Sequence, residues 1–522
     1  MRLRLDRSTV PVFFLATVAV GGCSDGGTNG GSGGSGTVTA GAGGQIPSVG
    51  GGGGATAGSS GTAIAGSNSG AGSSGAPTAG SGGVATAGSA GTQATAGSGG
   101  TATGGAGGTA TGGAGASAGG SAGAGGATTG KWGTVEDPGV ACTVGPMPSV
   151  GSLAANNKLP DAFKKMDGTA MTSKNEWLCR REEILQQGWE FIYGKKPRTP
   201  KESVSGTVGN TDITVTVDGK GTFSARVSLP SSGTKPYPAV IGFGGVTGMP
   251  VPAGVATINF DAYSVGAEVG GKSPGKGAFY TVHGADHEAG LLTAWAWGIS
   301  RIIDVIEKNP GTIDPTKLAV TGCSRFGKGA FVAGVMDNRI ALTIPVESGV
   351  GGTPALRLIE LLDAYSGSEF PYHAMSYEQW FSPEKLGQFT NGNSAAADNT
   401  NKLPVDMHQM MALIAPRGLY IVDNPSTMYN GLDRNSAYAT ALVGKMIFAA
   451  LGVGDHITYQ GNSGSHCAWR SHYTAPLTAN IQKFLLGDDR AQTGSFATDL
   501  GGTRPTAEAH IDWTPPTLSG EL

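Results

Sequence analysis

The C-terminal three quarters of this 522-residue chain predict an α/β fold in three layers, with a mostly parallel central sheet and helices on both faces. Two observations carry this prediction. Short, continuous apolar segments recur along the chain, which is typical of strands that are buried on both faces of a sheet. Segments with apolar residues at helical spacing separate them, and this alternation is expected of a parallel sheet.

The predicted strands are short apolar runs that end in glycine or in polar residues. They cover residues 237–245, 254–260, 311–322, 340–349, 417–424 and 456–460. Reactive side chains of a parallel sheet gather at the carboxyl ends of its strands. Ser324, Glu347 and Asp423 each follow such an end, so we expect them at one edge of the sheet.

The predicted helices lie between these strands. One runs from about His287 to Lys308, a second covers residues 327–336, and a last one covers residues 475–487. We find none of the tight hairpin turns of an all-β fold, so helices are expected to separate the strands. Residues 353–383 interrupt the alternation, and we interpret them as a cap or insertion over the sheet edge.

Residues 1–22 have the features of a secretory signal peptide. Arg2, Arg4 and Arg7 precede an apolar run at residues 10–20 that is too short to span a membrane. The ending Val-Gly-Gly-Cys resembles the lipobox of bacterial lipoproteins, which predicts lipidation of Cys23. The alternative is an ordinary signal peptide followed by a chance cysteine. In both cases we expect an exported protein, either secreted or held at the cell surface or outer membrane by the lipid alone.

Residues 23–130 indicate a lipidated cysteine followed by a disordered tether. Gly, Ser, Ala and Thr dominate this stretch, and it cannot bury enough apolar surface to offset the entropy of ordering. An adhesive or aggregating repeat is the alternative. Residues 131–522 contain all eight tryptophans and four of the five cysteines, which predicts one large catalytic domain, expected to be a monomer. The net charge of −3, without a basic stripe, argues against a nucleic-acid partner.

Ser324 is the candidate nucleophile. It lies in the segment Gly-Cys-Ser-Arg-Phe-Gly between a predicted strand and a predicted helix. A sharp turn there would expose the hydroxyl, and the next backbone N–H could stabilise an oxyanion. The usual G-x-S-x-G pattern has its second glycine one position earlier than Gly327. By itself the segment therefore also fits a glycine-rich connection with a serine cap.

A serine nucleophile needs a base and an acid. His466 follows the last predicted strand and precedes the last helix, where an α/β-hydrolase places its histidine, and His472 is the nearest rival. Glu347 and Asp423 both lie between the serine and the histidine in the chain, and either could orient the imidazole. The order of residues predicts an α/β-hydrolase fold and leaves the identity of the acid open.

Two cysteines flank the candidate serine and histidine. Cys323 directly precedes the serine, and Cys467 directly follows the histidine. Export favours disulfides, and a bond between these two would join the serine turn to the histidine loop. Cys142 and Cys179 would form the second pair. Free buried thiols are the alternative.

Several motifs resemble the glucuronoyl esterases, carbohydrate esterase family fifteen. They are GCSRFGKGA at residues 322–330, PVESGVGG at 345–352 and HCAW at 466–469, and further matching segments extend over about residues 142–487. This combination is far more specific than G-x-S alone. The resemblance implies a serine esterase that needs no metal or cofactor. Its expected substrate is the ester between 4-O-methyl-glucuronic acid of glucuronoxylan and lignin alcohols.

The resemblance also implies a role for individual residues. These are the nucleophile Ser324, the base His466, the acid Glu347, the oxyanion residue Arg325 and the sugar-binding residues Lys328 and Glu378. A lysine four residues after the serine on a helix returns to the same face, although a solvated helix charge is the alternative.

Three positions depart from the family pattern. Phe370 stands where many members have glutamine, and Met428 and Tyr429 stand near the position of a common tryptophan, so the sugar pocket is expected to differ in detail. Some bacterial members of the family place or duplicate the acid after the later strand, which keeps Asp423 as a second choice. An acetyl-type carbohydrate esterase and a non-catalytic carbohydrate-binding protein are the alternative functions.

Overall fold

The computed structural model describes residues 135–137, 142–246, 248–268, 275–363, 369–376, 379–390, 398–424, 432–501 and 504–522. The predicted signal peptide, Cys23, the tether and Glu378 lie outside these residues, as do Met428 and Tyr429. Within the described part of the chain, no helix combines the length and the apolar character that crossing a membrane requires.

The described residues contain ten strands that form one sheet. The strands are β1 (Val204–Val208), β2 (Asp212–Val217), β3 (Gly221–Ser228), β4 (Tyr237–Phe243), β5 (Ala256–Phe260), β6 (Ile313–Cys323), β7 (Ile340–Val346), β8 (Gly418–Asp423), β9 (Ile457–Gly461) and β10 (Phe496–Thr498). Their order across the sheet is β1-β2-β3-β5-β4-β6-β7-β8-β9-β10. Every neighbouring pair from β5 to β10 is parallel, which confirms the predicted mostly parallel sheet.

Helices connect most of the parallel strands. Those of the described residues are α1 (Trp177–Gly188), α2 (Ala278–His283), α3 (Leu291–Lys308), α4 (Arg325–Met336), α5 (Leu356–Leu362), α6 (Pro371–Ser376), α7 (Met407–Ala412), α8 (Arg434–Ala450) and α9 (Ser471–Phe484). Helix α3 begins later than predicted, because Gly290 before it has an extended backbone and packs against Phe381. The insertion between β7 and β8 contains α5 and α6.

The expectation that helices separate all strands is wrong at the start of the sheet. Strands β1, β2 and β3 pair antiparallel in two successive hairpins. Asp218 and Gly219 connect β2 to β3 with φ of 52° and 64°, and the N–H of Lys220 donates to the carbonyl of Val217 at 2.9 Å. Two central residues with positive φ make a type I′ turn, for which Asp-Gly is a strong sequence signal. The sequence therefore carried the signal for one of the two hairpins.

Side chains on the two faces of the sheet belong to two separate core clusters. In β4, Ile241 joins the cluster that includes the buried residues of α3 and α4, whereas Val240 joins the cluster that includes Leu477 and Ile481 of α9. Because each face is covered by helices, the molecule has the three predicted layers.

A buried cluster of charged side chains lies at the edge of the sheet opposite to Ser324, since Arg339 directly precedes β7. Glu136 contacts the ammonium of Lys196 at 2.7 Å and the guanidinium of Arg301, and the side chains of Lys196 and Arg301 are 4% and 0% exposed. Burial works to raise the pKa of Glu136. The charges of Lys196, Arg301 and Arg339 outweigh this, so its pKa lies below the usual range.

We expect Glu136→Gln to lower the free energy of unfolding by about 2–4 kcal/mol at pH 7, because it removes the carboxylate that pairs with the buried Lys196 and one of the two that pair with Arg301. The pKa of Glu136 is depressed, so this contribution is complete above its ordinary value of 4.5 and is lost as the pH falls through the folded value. Urea unfolding at pH 7 and pH 4 measures both effects. Asp137→Asn is the control, because its partner Arg198 is 69% exposed, and it should cost less than about 1 kcal/mol. Equal stability of the two variants would refute the prediction.

Candidate active site

Ser324 lies at the junction of β6 and α4 in a strained backbone conformation. Its φ of 60° and ψ of −127° are rare for a non-glycine residue, and they mark the turn at which a strand meets a helix. The N–H of Ser324 donates to the carbonyl of Val346 at 2.9 Å, which ties the turn to β7. A β-carbon on Gly322 would lie 2.4 Å from the carbonyl oxygen of Phe326, so the turn requires a glycine there.

The late second glycine of the motif has a packing reason. A β-carbon at Gly327 would lie 2.4 Å from the carbonyl oxygen of Val346, where α4 packs against the end of β7. The preceding position faces the other way, and the ring of Phe326 packs against Phe243, Tyr263 and Trp295. Gly327 therefore lies where α4 contacts the backbone of β7, and Phe326 lies where its ring packs against other aromatic side chains.

His466 and Glu347 form the close acid–imidazole contact of the site. His466 Nδ1 lies 2.5 Å from Glu347 Oε2, and the N–H of Cys467 donates to the same oxygen at 3.0 Å. The side chain of Glu347 is 0% exposed, whereas that of His466 is 20% exposed. Glu347 is held in a left-handed conformation with φ of 46°, directly after β7. The structure thus brings together the predicted base and one of the two candidate acids.

Asp423 and His472, the other two candidates, are not part of this contact. Asp423 is the last residue of β8 rather than the residue after it, and its side chain is buried. Burial is the main cause that raises the pKa of Asp423 to about 7; the charge of Glu347 adds to the rise, and a hydrogen bond with Tyr459 opposes it. His472, the rival histidine, is the second residue of α9 and is exposed.

Both predicted disulfides are present in the structure. Cys323 bonds to Cys467 and Cys142 bonds to Cys179, with Cα atoms 5.7 Å and 5.9 Å apart. The first bond connects the serine turn directly to the histidine loop across 144 residues of sequence. Possible ligand atoms of its two cysteines, Glu347 and His466 lie within 4.8 Å of one another. Because the bonded sulfurs are not thiolates, this group does not offer a four-ligand metal site.

Arg325 begins α4 and places its side chain in a network that the sequence did not reveal. Its Nη1 donates to Glu268 Oε2 at 2.5 Å. The same carboxylate accepts from Tyr263 Oη at 3.0 Å and from Trp380 Nε1 at 2.9 Å. These partners come from the loop after β5 and from the insertion before β8. No periodic pattern or motif marks them, so only the folded chain brings them to Arg325.

Lys328 is buried, which excludes the interpretation as a solvated helix charge. Its side chain is 0% exposed. The ammonium donates to Glu369 Oε2 at 2.7 Å and to the carbonyl of Ser348 at 2.6 Å, and it lies 4.5 Å from the ring centre of Trp380. Two of its three N–H donors are engaged by these contacts.

Phe370, at the position where the family often has glutamine, packs with its ring parallel to that of Tyr372.

Comparison with known proteins identifies the family of this chain. The family profile described as "Glucuronyl esterase, fungi" matches residues 213–452. The 4-O-methyl-glucuronoyl methylesterase of Hypocrea jecorina is 40% identical over 387 residues, which cover 73% of this chain and 80% of that protein. The chain belongs to the glucuronoyl esterase family. The methylesterase of Phanerochaete chrysosporium is likewise 40% identical, over 70% of this chain and 78% of its own length.

Solved glucuronoyl esterases have the same fold. The catalytic domain from Hypocrea jecorina matches with a TM-score of 0.65 and 38% identity, covering 72% of this chain and all of that domain. A mutant of the Sporotrichum thermophile glucuronoyl esterase, solved with methyl 4-O-methyl-β-D-glucopyranuronate, matches with a TM-score of 0.64 and 35% identity over 70% of this chain and 97% of its own. The glucuronoyl esterase from Caldicellulosiruptor kristjansonii has a TM-score of 0.57 and 29% identity over 70% of this chain and 98% of its own. These matches confirm the predicted α/β-hydrolase fold.

Proposed function

We propose that this glucuronoyl esterase hydrolyses the ester between the carboxyl group of 4-O-methyl-glucuronic acid in glucuronoxylan and an alcohol of lignin. The observation that carries the proposal is the contact between His466 and the buried Glu347, joined by the disulfide to the strained turn of Ser324. The methylesterase relatives and the solved complex with a methyl uronate support the substrate class.

The proposed reaction is an acyl transfer in two steps. His466 takes the proton of Ser324, whose oxygen attacks the ester carbonyl, and the alcohol leaves with a proton from the imidazole. Water then attacks the glucuronoyl-enzyme with the same histidine as base. Glu347 orients the imidazole and stabilises its charged form. Serine, imidazole and carboxylate supply the nucleophile, the base and the orienting acid, so the proposed mechanism needs no metal or cofactor.

Arg325 is proposed to stabilise the oxyanion. Arg325 is the first residue of α4. Its backbone N–H lies at a turn where backbone donors can point at the negative charge that develops on the carbonyl oxygen of the ester. Its guanidinium is held by Glu268, which limits where that charge can move. Lys328 and Glu378 are proposed to contact sugar hydroxyls. For Lys328 the third N–H of the ammonium is the donor that Glu369 and Ser348 leave for this contact.

The proposed setting of the domain is outside the cytoplasm. A signal peptide at residues 1–22 would direct export, lipidation of Cys23 would anchor the chain, and residues 23–130 would act as a tether for the catalytic domain at 131–522. The fungal relatives and the two disulfides support export. We propose that the domain acts as a monomer.

A panel of esters tests the proposed function. Benzyl glucuronate and methyl 4-O-methyl-glucuronate are compared with acetylated xylan at equal enzyme concentration. We expect kcat/KM for the uronate esters to exceed that for acetyl esters by about 100-fold or more, because a site built for a sugar acid leaves polar groups unpaired with any other acyl group. Preference for acetylated xylan would assign the alternative esterase function. Binding of xylan without turnover of any ester would indicate a carbohydrate-binding protein.

A further inference from the structure

Arg470 is a charged residue of the site that the family motifs did not single out. It directly precedes α9, and its side chain is 11% exposed. Nη1 lies 3.3 Å from Glu347 Oε1, the carboxylate oxygen opposite to the one that contacts His466. The two oxygens of Glu347 are thus divided between an imidazole and a guanidinium.

The same guanidinium also holds the histidine loop. It donates to three backbone carbonyls, those of Ser463 at 3.2 Å, Ser465 at 3.0 Å and Ala468 at 3.0 Å. His466 lies between the second and third of these positions. A β-carbon on Gly464 would lie 2.4 Å from Arg470 Nε, so the loop fits closely around the arginine. Arg470 Nη1 further donates to Tyr473 Oη at 3.0 Å.

We propose that Arg470 is a positioning residue of the esterase: its guanidinium holds the histidine loop and the acid in one arrangement, and its positive charge shares the carboxylate of Glu347 with His466. This inference rests on the proposed function and adds to it. Arginine suits the role because its planar fork presents five N–H donors in a fixed geometry, so one side chain can bind several carbonyls and a carboxylate together. A lysine would keep the charge but lose most of the carbonyl contacts.

The charge of Arg470 has a consequence for the pH dependence of turnover. Of the described residues, the other titratable groups that interact with Glu347 are Asp423 at the end of β8 and Tyr473 on α9, and Tyr459 on β9 contacts Asp423. Burial is the main cause that raises the pKa of Asp423 to about 7 and that of Tyr473 to about 12. Among these described groups, Arg470 carries the permanent positive charge. Without it, both a neutral Glu347 and a protonated His466 become more favourable, and each form is inactive in the first step.

The experiment compares Arg470→Gln and Arg470→Lys in the full chain, with benzyl glucuronate as substrate between pH 4 and pH 9. For Arg470→Gln we expect kcat to fall about tenfold or more, with KM changed less than twofold, because the reacting groups lose their alignment. The midpoint of the acid limb, which is the low-pH side of the plot of kcat against pH, should move up by about half a pH unit. Arg470→Lys should keep the wild-type midpoint and lose less activity. Repeating the series with Asp423→Asn removes the titration of that carboxyl from the profile.

Arg490→Gln is the matched control, because this arginine is 91% exposed and pairs with Asp488, two residues before it in the chain. It should match wild type in kcat and in pH profile. Wild-type profiles for both Arg470 variants, or a loss of activity with an unmoved acid limb in Arg470→Gln, would overturn the proposal. If Arg470→Gln does not fold, Arg470→Lys alone tests the proposal. A shifted acid limb in Arg470→Lys overturns the proposal, and an unshifted acid limb with a lowered kcat supports it. Failure of the wild type to cleave any uronate ester would refute the proposed function instead.

Discussion

Ser324→Ala is expected to lower kcat for benzyl glucuronate by about 10⁵-fold or more, because removal of a serine nucleophile abolishes the covalent route. The fold should be unaffected. The side chain of Ser324 makes no capping hydrogen bond to α4, and alanine meets the same backbone strain at φ of 60°. Initial rates and thermal unfolding of the same preparation measure both quantities.

Ser471→Ala is the matched control for Ser324→Ala. Ser471 is exposed at the first turn of α9, beside the histidine loop, and its loss should leave kcat within twofold of wild type. Residual activity of the Ser324 variant above a few per cent, measured with enzyme free of wild-type contamination, would show that another group is the nucleophile.

Glu347→Gln is expected to lower kcat by about 10³- to 10⁴-fold. The amide can offer an N–H to Nδ1 of His466, which favours the wrong tautomer of the imidazole, and it cannot stabilise the imidazolium. The change would also disturb the contacts that this carboxylate accepts from the N–H of Cys467 and from Arg470.

Asp423→Asn should lower kcat less than tenfold. Burial raises the pKa of Asp423 to about 7, so a neutral carboxyl is already well populated near neutral pH, and asparagine resembles that form. Parallel measurement of kcat at pH 7 for the two variants decides between the acids. A larger loss in Asp423→Asn than in Glu347→Gln would assign the acid to the end of β8.

Much of the fold was predictable because its signals are local. Buried parallel strands give continuous apolar runs, and α3 shows helical spacing along its whole length. The antiparallel start of the sheet was missed although Asp218 and Gly219 form a turn that favours a hairpin. Helices separate the later strands, whereas short polar turns connect the strands before β4.

The site was predictable where motifs carry it. The turn of Ser324, the loop of His466 and the cysteine beside each could be read from neighbouring residues, and the disulfide between Cys323 and Cys467 is present as expected. The reason for the glycine at 327 could not be read, since it depends on the carbonyl of Val346 in a different strand.

By itself, the sequence determined the α/β class, the serine turn, the histidine loop and the two cysteine pairs, because each follows from local spacing or from a motif. Only the tertiary structure decided which carboxylate contacts His466, since Glu347 and Asp423 both lie at the carboxyl ends of neighbouring strands and differ in where their side chains point. It also revealed Arg470 and Glu268, whose partners come from distant segments. Such contacts depend on how loops converge at the sheet edge, and no short segment of sequence encodes that convergence.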